Sequence, residues 1–373
     1  MSATLLAHPI VAATIWRAWF ETGQQPSRRS FELARVRIAG AERPLRWRAL
    51  PFGPFATLSE VVRADREPDH TVLLVPPLSG GFPFVVRDMA ARFVSTARVR
   101  ILEWMNARFV PGAEGPFLLD DQAALIAEAI RRSAQPPHVV ALCQGGGPSL
   151  TASAMVAAEG EGRGPASLTL IASPIRPAAA KTVLTGFVTE RTLSALEAAF
   201  LPRATPAGDL RRVFPATAQF AALAATLAAQ RPDRDEFSAM ILDSVERPEG
   251  GLRFLDLIAA YMDAPAEFML DNLTRLYLGP KDVPPSAQWR GASVDLRSLD
   301  ETPIAVVEGG RDPVAPAGQT AAVFDATPGR DAPRERILMD RSGHFSLFHG
   351  PIWRSRIYPR LREMIRAAEA RSD

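Results

Sequence analysis

The chain contains very little cysteine: Cys143 is the single one in 373 residues. One cysteine excludes an internal disulfide and a cysteine-based metal cluster, and it fits a reducing compartment. Hydrophobic residues make up 47% of the sequence and charged residues 23%, which are ordinary values for a globular protein. A sizeable core can therefore form without disulfide staples.

Lysine is almost as scarce, because it occurs only at Lys181 and Lys281. Nearly all positive charge is therefore arginine, and the 43 basic residues are balanced by 41 acids to a net charge of +2. No basic run with interleaved aromatic residues occurs. These patterns predict that the protein does not bind nucleic acid.

Long apolar runs are also lacking. The N-terminal sequence MSATLLAHPIVAATIWRAWF has no charged n-region, is interrupted by Pro9 and is closed by Arg17. Neither a secretory signal nor a transmembrane segment is therefore predicted. Residues 1–28 form a predicted helical segment that either packs on the domain or contacts a hydrophobic particle or membrane surface.

Short β-rich runs alternate with helical ones, which predicts an α/β fold with a mostly parallel sheet and helices on both faces. An antiparallel pair is predicted at 31–40 and 44–52. The predicted buried strands are 71–77, 98–104, 138–143, 167–174, 302–310 and 335–340. Helices are predicted at 120–133 and at the C-terminus, the latter bent or interrupted near Pro359.

The predicted core comprises residues 29–174 and 302–373, and residues 175–301 are predicted to be an inserted helical cap. That interval is much longer than one crossover needs. Its helical runs include ATAQFAALAATLAAQ (216–230) and DEFSAMILDSVE (235–246).

Cys143 lies where an apolar strand, HVVALC, enters a glycine-rich turn and then a helix. An α/β-hydrolase holds its nucleophile at such a turn, with the side chain exposed above the sheet. No G-x-S-x-G occurs elsewhere. A lone cysteine is often a small buried hydrophobe, but this context favours a nucleophile.

The hydrolase triad follows the chain order nucleophile, acid, histidine. Asp312 comes just after a buried strand, and His344 lies in the Ser-Gly turn after the next strand. Asp340 and Asp325 are rival acids, and His349 is the rival histidine. Order and placement favour Asp312 and His344.

A thiol has a reference pKa near 8.5, and an imidazole or a helix N-terminus favours its thiolate. His344 would hold the thiol proton and later activate water, while Asp312 orients the imidazole. Backbone N–H groups would stabilise the oxyanion. The candidates are Gln144, directly after the nucleophile, and Leu78 or Ser79 in the PPLSGGF loop.

Seven regions, in order, resemble one known family: the intracellular polyhydroxyalkanoate depolymerases, which are α/β-hydrolases with a cysteine nucleophile. The resemblance spans roughly residues 50 to 366. Its segments are VLLVPPLSGGF, ILEWMNARFVP, GPFLLDDQ, HVVALCQ, LIASPI, APAEFMLDNLTRLY with the later WRG, VEGGRDPVAPAGQT and SGHFSLFHGPIWRSRIYPRLREMI.

Carried over to this chain, the family's triad falls on Cys143, Asp312 and His344. The resemblance implies hydrolysis of a polyhydroxybutyrate-like polyester to oligomers or hydroxyacid, without metal or cofactor. It also implies a cytoplasmic location at the surface of storage granules. The oligomeric state is left open.

Two other functions remain open. The turn at Cys143 reads C-x-G-G, which is closer to the pattern of polyhydroxyalkanoate synthases. In addition, Gly81 stands where the resemblance leads us to expect histidine. A synthase-like acyltransferase would pass the acyl group from hydroxyacyl-coenzyme A to a chain-end hydroxyl rather than to water. A non-catalytic granule-associated binding protein is the third reading, and small esters or thioesters remain possible substrates of a broader hydrolase.

The cap is predicted to line a hydrophobic groove for an extended polyester. The candidate substrate-binding residues are Phe187, Phe200, Phe220, Phe237 and Tyr277.

Overall fold

The computed structural model describes most of the chain. The described residues are 33–78, 83–160, 162–198, 200–219, 261–281, 284, 287–329 and 332–372. Four predictions lie outside these residues: the N-terminal segment 1–28, Ser79, the pair Phe220 and Phe237, and the helix at 235–246.

Within the described residues, a nine-stranded sheet runs in the order β1-β2-β3-β5-β4-β6-β7-β13-β14. Its strands are β1 Arg35–Ile38, β2 Ala41–Pro51, β3 Ala56–Arg63, β4 His70–Val75, β5 Ala97–Trp104, β6 His138–Leu142, β7 Ser167–Ile171, β13 Ile304–Gly309 and β14 Arg334–Met339. Strands β1 to β3 pair in antiparallel fashion, and β3 joins β5 antiparallel. All pairs from β5 to β14 are parallel.

The central strands form because their apolar runs are buried on both faces. Every residue of β6, β7 and β13 is buried, the pattern of a parallel sheet covered by helices on each side. All six predicted strands of this core are present, as is the antiparallel pair at the start, but β14 lies at the edge of the sheet and has Ile337 as its one buried residue, so the prediction of a buried strand at 335–340 is wrong in that respect. The sequence analysis missed β3, whose run ATLSEVVR mixes four polar residues with the apolar ones.

Helices cover both faces of the sheet. In the described core they are α1 Arg87–Phe93, α2 Leu119–Arg131, α3 Gly146–Ala157, α7 Val323–Ala326, α8 Gly350–Ile352 and α9 Tyr358–Ser372. A π-helical segment, Trp353–Ile357, precedes α9, so the C-terminal helix is irregular just before Pro359, as predicted. No helix among the described residues combines the length and apolarity that a membrane span needs.

The described residues between β7 and β13 are not purely helical, which corrects the prediction of a helical cap. Helices there are α4 Val183–Phe187, α5 Glu190–Glu197 and α6 Ala266–Leu273, the last continuing as a π-helix, Thr274–Leu278. A three-stranded antiparallel sheet contains β8 Leu201–Ala204, β9 Leu210–Phe214 and β10 Ala264–Pro265, and a hairpin contains β11 Gln288–Trp289 and β12 Ala292–Ser293.

The residue pattern of β9 shows why this part of the segment forms a strand and not a helix. Its sequence LRRVF alternates exposed and buried positions, and Val213 and Phe214 are both buried. Such a two-residue period is typical of a half-buried strand. The alanine-rich runs that suggested an all-helical cap lie mostly outside the described residues, with 216–219 helical within them.

Parallel strands bring their carboxyl ends to one edge of the sheet, where open α/β sheets place their ligands. Loops leave this edge after β4, β6, β7, β13 and β14. Cys143, Asp312 and His344 all lie in these loops.

Candidate active site

Cys143 directly follows β6 and begins a short 3₁₀ turn, Cys143–Gly145, that leads into α3. Its φ is +49°. A non-glycine residue in the left-handed region is uncommon and costs conformational energy, and such strain is concentrated at functional sites. The half-exposed thiol therefore stands on the sharp strand-to-helix turn that the sequence predicted.

Gly146 is required by the close approach of this turn to the next strand's loop. A Cβ at Gly146 would overlap the Ser173 hydroxyl, just beyond β7. A larger residue here would push α3 away from the sheet. The glycine thus keeps the helix N-terminus directly behind the thiol.

His344 and Asp312 are joined by a hydrogen bond, with 2.7 Å between Nδ1 and Oδ2. The other carboxylate oxygen of Asp312 accepts the backbone N–H groups of Val314 at 2.8 Å and Ala315 at 2.9 Å. Asp312 is 3% exposed and His344 6%. A buried carboxylate held by three donors fixes both the orientation and the tautomer of the imidazole.

The charge around His344 favours its protonated form. Burial lowers the pKa of His344, but the Asp312 carboxylate and then Cys143 raise it, through charge and hydrogen bonds, to about 10. The raised pKa keeps the proton on the imidazole that faces Cys143 at neutral pH. An imidazolium in this position stabilises a thiolate.

The rival residues have other partners. Asp325 binds Arg176 with 2.6 Å between Oδ2 and the guanidinium, and Asp340 is exposed beyond β14. His349 Nδ1 lies 3.2 Å from Asp88 Oδ2, away from Asp312. The structure therefore pairs His344, and not His349, with an acid beside the cysteine.

The acid and histidine loops are held against one another by their backbones. Arg311 N–H donates to Ser342 O at 3.1 Å. Behind them, the fully buried Glu308 accepts N–H groups from Gly318, Thr320 and Ala321 at 2.8 to 3.0 Å. These bonds fix the distance between the two loops.

Gln144 uses its side chain as the centre of a buried amide network. Its Oε1 accepts the Leu78 N–H at 3.0 Å, and its Nε2 donates to Gln122 Oε1 at 2.7 Å. Nε2 also lies 3.4 Å from Asn272 Oδ1, on α6. The network thus ties the turn at Cys143–Gly145 to α2 and to the segment between β7 and β13.

This network bears on the predicted oxyanion site. The Gln144 N–H lies in the first turn after the nucleophile, where helix N–H groups have no intrahelical acceptor. The Leu78 N–H is engaged by the Gln144 side chain, and Ser79 lies outside the described residues.

The segment GPFLLDDQ is clamped to α6, a contact that sequence reasoning missed. Glu267 Oε1 accepts the Phe117 N–H at 3.0 Å, and Asp271 Oδ2 accepts the Leu119 N–H at 3.0 Å. Both acids belong to AEFMLDN. Both GPFLLDDQ and AEFMLDN lie in segments that carry the family resemblance, but the sequence did not predict that they contact each other.

Asp120 completes this clamp. Its two carboxylate oxygens bind the Arg275 guanidinium at 2.6 and 2.7 Å, and Oδ2 also accepts the Arg290 N–H at 2.9 Å. The Trp289 indole donates to Asp120 O at 3.1 Å. Burial raises the pKa of Asp120, but Arg275 and the Arg290 N–H outweigh it and lower the pKa.

The predicted substrate-binding residues that the structure describes differ in their solvent exposure. Phe187 is exposed, whereas Phe200 is buried and packs edge-on against Phe214, with 5.6 Å between ring centroids. Phe200 therefore belongs to the interior rather than to a groove. Tyr277 is half-buried, and burial and the nearby Cys143 raise the pKa of its phenol, as they do for Tyr261.

Among the described residues, no three His, Cys, Asp or Glu side chains are grouped to hold a metal ion.

Comparison with known proteins identifies both a family and a fold. The family model described as PHB de-polymerase C-terminus matches residues 172–369, more than half of the chain. No curated protein sequence matches.

Solved structures resemble the chain over most of its length. A putative lipase from Acinetobacter baumannii AYE has a TM-score of 0.51 and 14% identity, covering 87% of this chain and 92% of its own. An esterase from Thermogutta terrifontis also has a TM-score of 0.51 and 14% identity, covering 90% and 97%. These likenesses and the strand order confirm the predicted α/β-hydrolase fold.

Proposed function

This chain belongs to the PHB de-polymerase C-terminus family, and on that premise we propose that it hydrolyses a polyhydroxybutyrate-like polyester with Cys143 as nucleophile. One observation carries the mechanism: the buried His344 is hydrogen-bonded to Asp312 and interacts electrostatically with Cys143, which lies at a strained strand-to-helix turn. That arrangement supports nucleophilic catalysis on a carbonyl.

The first half-reaction forms an acyl-cysteine. The Cys143 thiolate attacks the ester carbonyl carbon, so a C–S bond forms and the carbonyl oxygen becomes an oxyanion. The Gln144 N–H, at the start of the turn, is a donor for that oxyanion. As the C–O bond breaks, the His344 imidazolium gives its proton to the departing alkoxide.

The second half-reaction regenerates the enzyme. The now neutral His344 takes a proton from water, and the resulting hydroxide attacks the thioester carbonyl. The C–S bond breaks, the sulfur leaves as thiolate, and the acyl group is released as a carboxylic acid. Asp312 stabilises the imidazolium in both halves, since it stays ionised and accepts the hydrogen bond from the Nδ1–H group throughout.

The polyester assignment rests on the family, because the fold alone does not specify a substrate. The same premise favours a place at the surface of storage granules. The synthase alternative differs only in what attacks the acyl-cysteine, a chain-end hydroxyl in place of water, and it requires a hydroxyacyl-coenzyme A substrate.

Release of 3-hydroxybutyrate and its oligomers from amorphous polyhydroxybutyrate granules tests this proposal. The parent protein should release product, and Cys143→Ala should release none above the buffer blank. Turnover of 3-hydroxybutyryl-coenzyme A into polymer, without release from granules, would instead support the acyltransferase.

The chain offers matched controls. His344→Gln should lose about 10³-fold or more in kcat, whereas His349→Gln removes a histidine of the same loop and should keep the parent rate. Equal release by the parent and Cys143→Ala would refute the cysteine mechanism. Granule binding without release by any variant would favour the non-catalytic reading.

A further inference from the structure

A cavity of about 430 Å³ lies between the loop that follows β7 and the end of the π-helix Thr274–Leu278. This volume is within the range of small-molecule sites. One wall is formed by residues of 176–186 and the other by residues of 276–281.

The two lysines of the chain both line this cavity. Lys181 lies in one wall and Lys281 in the other, and both are exposed to solvent. All other Lys and Arg positions are arginine, so the two lysine side chains of the chain line one cavity from positions 100 residues apart in sequence. The described lining contains no Asp or Glu, and Arg176 adds a third cation that is bound to Asp325.

The cavity adjoins the nucleophile. Tyr277 lines it and lies near enough to Cys143 for that residue to affect the phenol. Leu276 lines both this cavity and a smaller one of about 20 Å³ whose wall includes Gln144 and Gly147 of the nucleophile turn. Through Leu276, the larger cavity therefore neighbours the small cavity at the turn that carries Cys143.

Both walls are fixed to the rest of the molecule. The side-chain amide of the buried Gln319 donates to Pro177 O at 3.1 Å and to Ala180 O at 2.7 Å. The backbone carbonyl of Gln319 accepts the Arg176 N–H at 3.1 Å. The opposite wall is anchored by Arg275, bound to Asp120. The lysines thus extend from a preorganised frame, which lowers the entropic cost of binding.

We infer that this cavity binds the terminal carboxylate of a hydroxyalkanoate chain or oligomer, so that the protein cleaves preferentially near that end. The inference rests on the proposed function. A polyester is neutral along its length and carries negative charge only at its acid end, so cations give no advantage to internal segments. The apolar lining by Leu276, Tyr277 and Pro280 suits the remaining methyl-substituted backbone.

The chemistry places this carboxylate on the leaving-group side. When Cys143 attacks an ester carbonyl, the acyl part stays on sulfur, and the departing alcohol carries the rest of the chain to its acid end. A carboxylate held by the lysines therefore belongs to the first product. After hydrolysis of the acyl-cysteine, the shortened chain has a new carboxylate and can bind again.

Paired substrates test the inference: the 3-hydroxybutyrate trimer with a free carboxylate and its methyl ester. The parent should favour the free acid in kcat/KM by about tenfold at low salt, as two partly exposed ion pairs allow, and less at high salt. The double variant Lys181→Gln/Lys281→Gln should lose this preference because its kcat/KM for the free acid falls to the value for the methyl ester. Lys181→Arg/Lys281→Arg should restore most of it.

A second double variant, Arg35→Gln/Arg297→Gln, removes two exposed arginines outside the cavity and should keep the preference. Equal rates on acid and ester by the parent, or a preference that survives the lysine variant, would overturn the inference. Coenzyme A is the competing anion. If it binds more tightly than the trimer acid, and if its affinity falls in the lysine double variant, the cavity binds phosphate instead.

Binding separates this inference from the proposed function. Calorimetry of Cys143→Ala with the trimer acid and its methyl ester measures the cavity without turnover. A preference for the acid, abolished by the lysine substitutions, supports the carboxylate site even where no polymer is cleaved. No difference between acid and ester refutes it even for an active depolymerase.

Discussion

The side chain of Gln144 accepts the backbone N–H of Leu78 at 3.0 Å. The residue that follows Cys143 therefore positions the loop after β4 with its carboxamide. Because the same carboxamide donates to Gln122 and contacts Asn272, three separate segments are fixed around one side chain.

Truncation of this side chain should weaken both stability and catalysis. Gln144→Ala leaves the Leu78 N–H and the buried Gln122 amide without their partner, which should cost about 2 kcal/mol of unfolding free energy. The freed loop should also lower kcat. Urea unfolding and ester hydrolysis measure the two effects. Gln288→Ala, an exposed glutamine nearby, should change stability by less than about 0.5 kcal/mol.

Asp312 should set the alkaline limit of activity. Burial lowers the pKa of His344, but Asp312 and Cys143 raise it to about 10, so the parent should lose the imidazolium acid only as the pH rises through about 10. Asp312→Asn removes the raising charge, so the alkaline limb of kcat/KM should move to lower pH and its plateau fall by about 10³-fold. Rates between pH 6 and 11 measure both.

Asp325→Asn is the matched control for that change, because Asp325 was a rival acid and binds Arg176. Its pH profile should coincide with that of the parent. An unchanged alkaline limb in Asp312→Asn would show that another group holds the proton.

The clamp between Asp120 and Arg275 should be a major source of stability. Arg275→Gln leaves a largely buried carboxylate without its bidentate partner, and we expect a loss of about 3 kcal/mol in unfolding free energy. Asp120 has a lowered pKa, so this contribution is present above its unfolded pKa near 3.9 and disappears as the pH falls through the lower folded value. Urea unfolding at pH 7 measures the loss.

An exposed pair provides the comparison. Arg297 binds Asp295 with 2.9 Å between the charged groups, but the side chains are 75% and 58% exposed. Arg297→Gln should therefore change stability by less than about 0.5 kcal/mol. A similar loss of unfolding free energy in Arg275→Gln and Arg297→Gln would contradict a major stabilising role of the Asp120–Arg275 pair.

A histidine pair at the opposite edge of the sheet should make the fold sensitive to acid. His138 is fully buried, binds Glu369 of α9 at 2.7 Å, and meets the His70 ring edge-on at 5.2 Å. Burial, and then charge on His138, lower the pKa of His70. The unfolded chain therefore binds a proton more readily, so stability should decrease as the pH falls below 6.5.

Thermal unfolding of the parent and His70→Gln at pH 7.5 and 5.5 checks this effect. The parent should lose more stability between the two conditions than the variant, by no more than about 1 kcal/mol. An equal loss in both proteins would exclude His70 as the acid-sensitive group.

The sequence was sufficient for the parallel core because its strands are continuous apolar runs, and for Cys143 because the strand, glycine turn and helix are adjacent in the chain. It also paired Asp312 with His344 through their positions after consecutive strands. The strand β3 was missed because its polar residues Thr57, Ser59 and Glu60 break the apolar pattern, although it lies inside the sheet.

Long-range contacts could not be inferred in the same way. The bond between Gln144 and Leu78 joins residues 66 positions apart, and nothing in the local pattern of a glutamine indicates such a partner. Likewise, GPFLLDDQ and AEFMLDN were recognised as separate segments, and only the folded chain brings Asp271 to the Leu119 N–H.

The rarity of lysine gives the carboxylate cavity a practical property. Amine-directed reagents, such as activated esters and amine crosslinkers, can modify two side chains in this protein, and both line that one cavity. A small label placed there would lie beside Tyr277 and close to the nucleophile. The amino-acid composition thus confines side-chain labelling by amine reagents to this cavity, with the α-amino group of the chain as the other reactive amine.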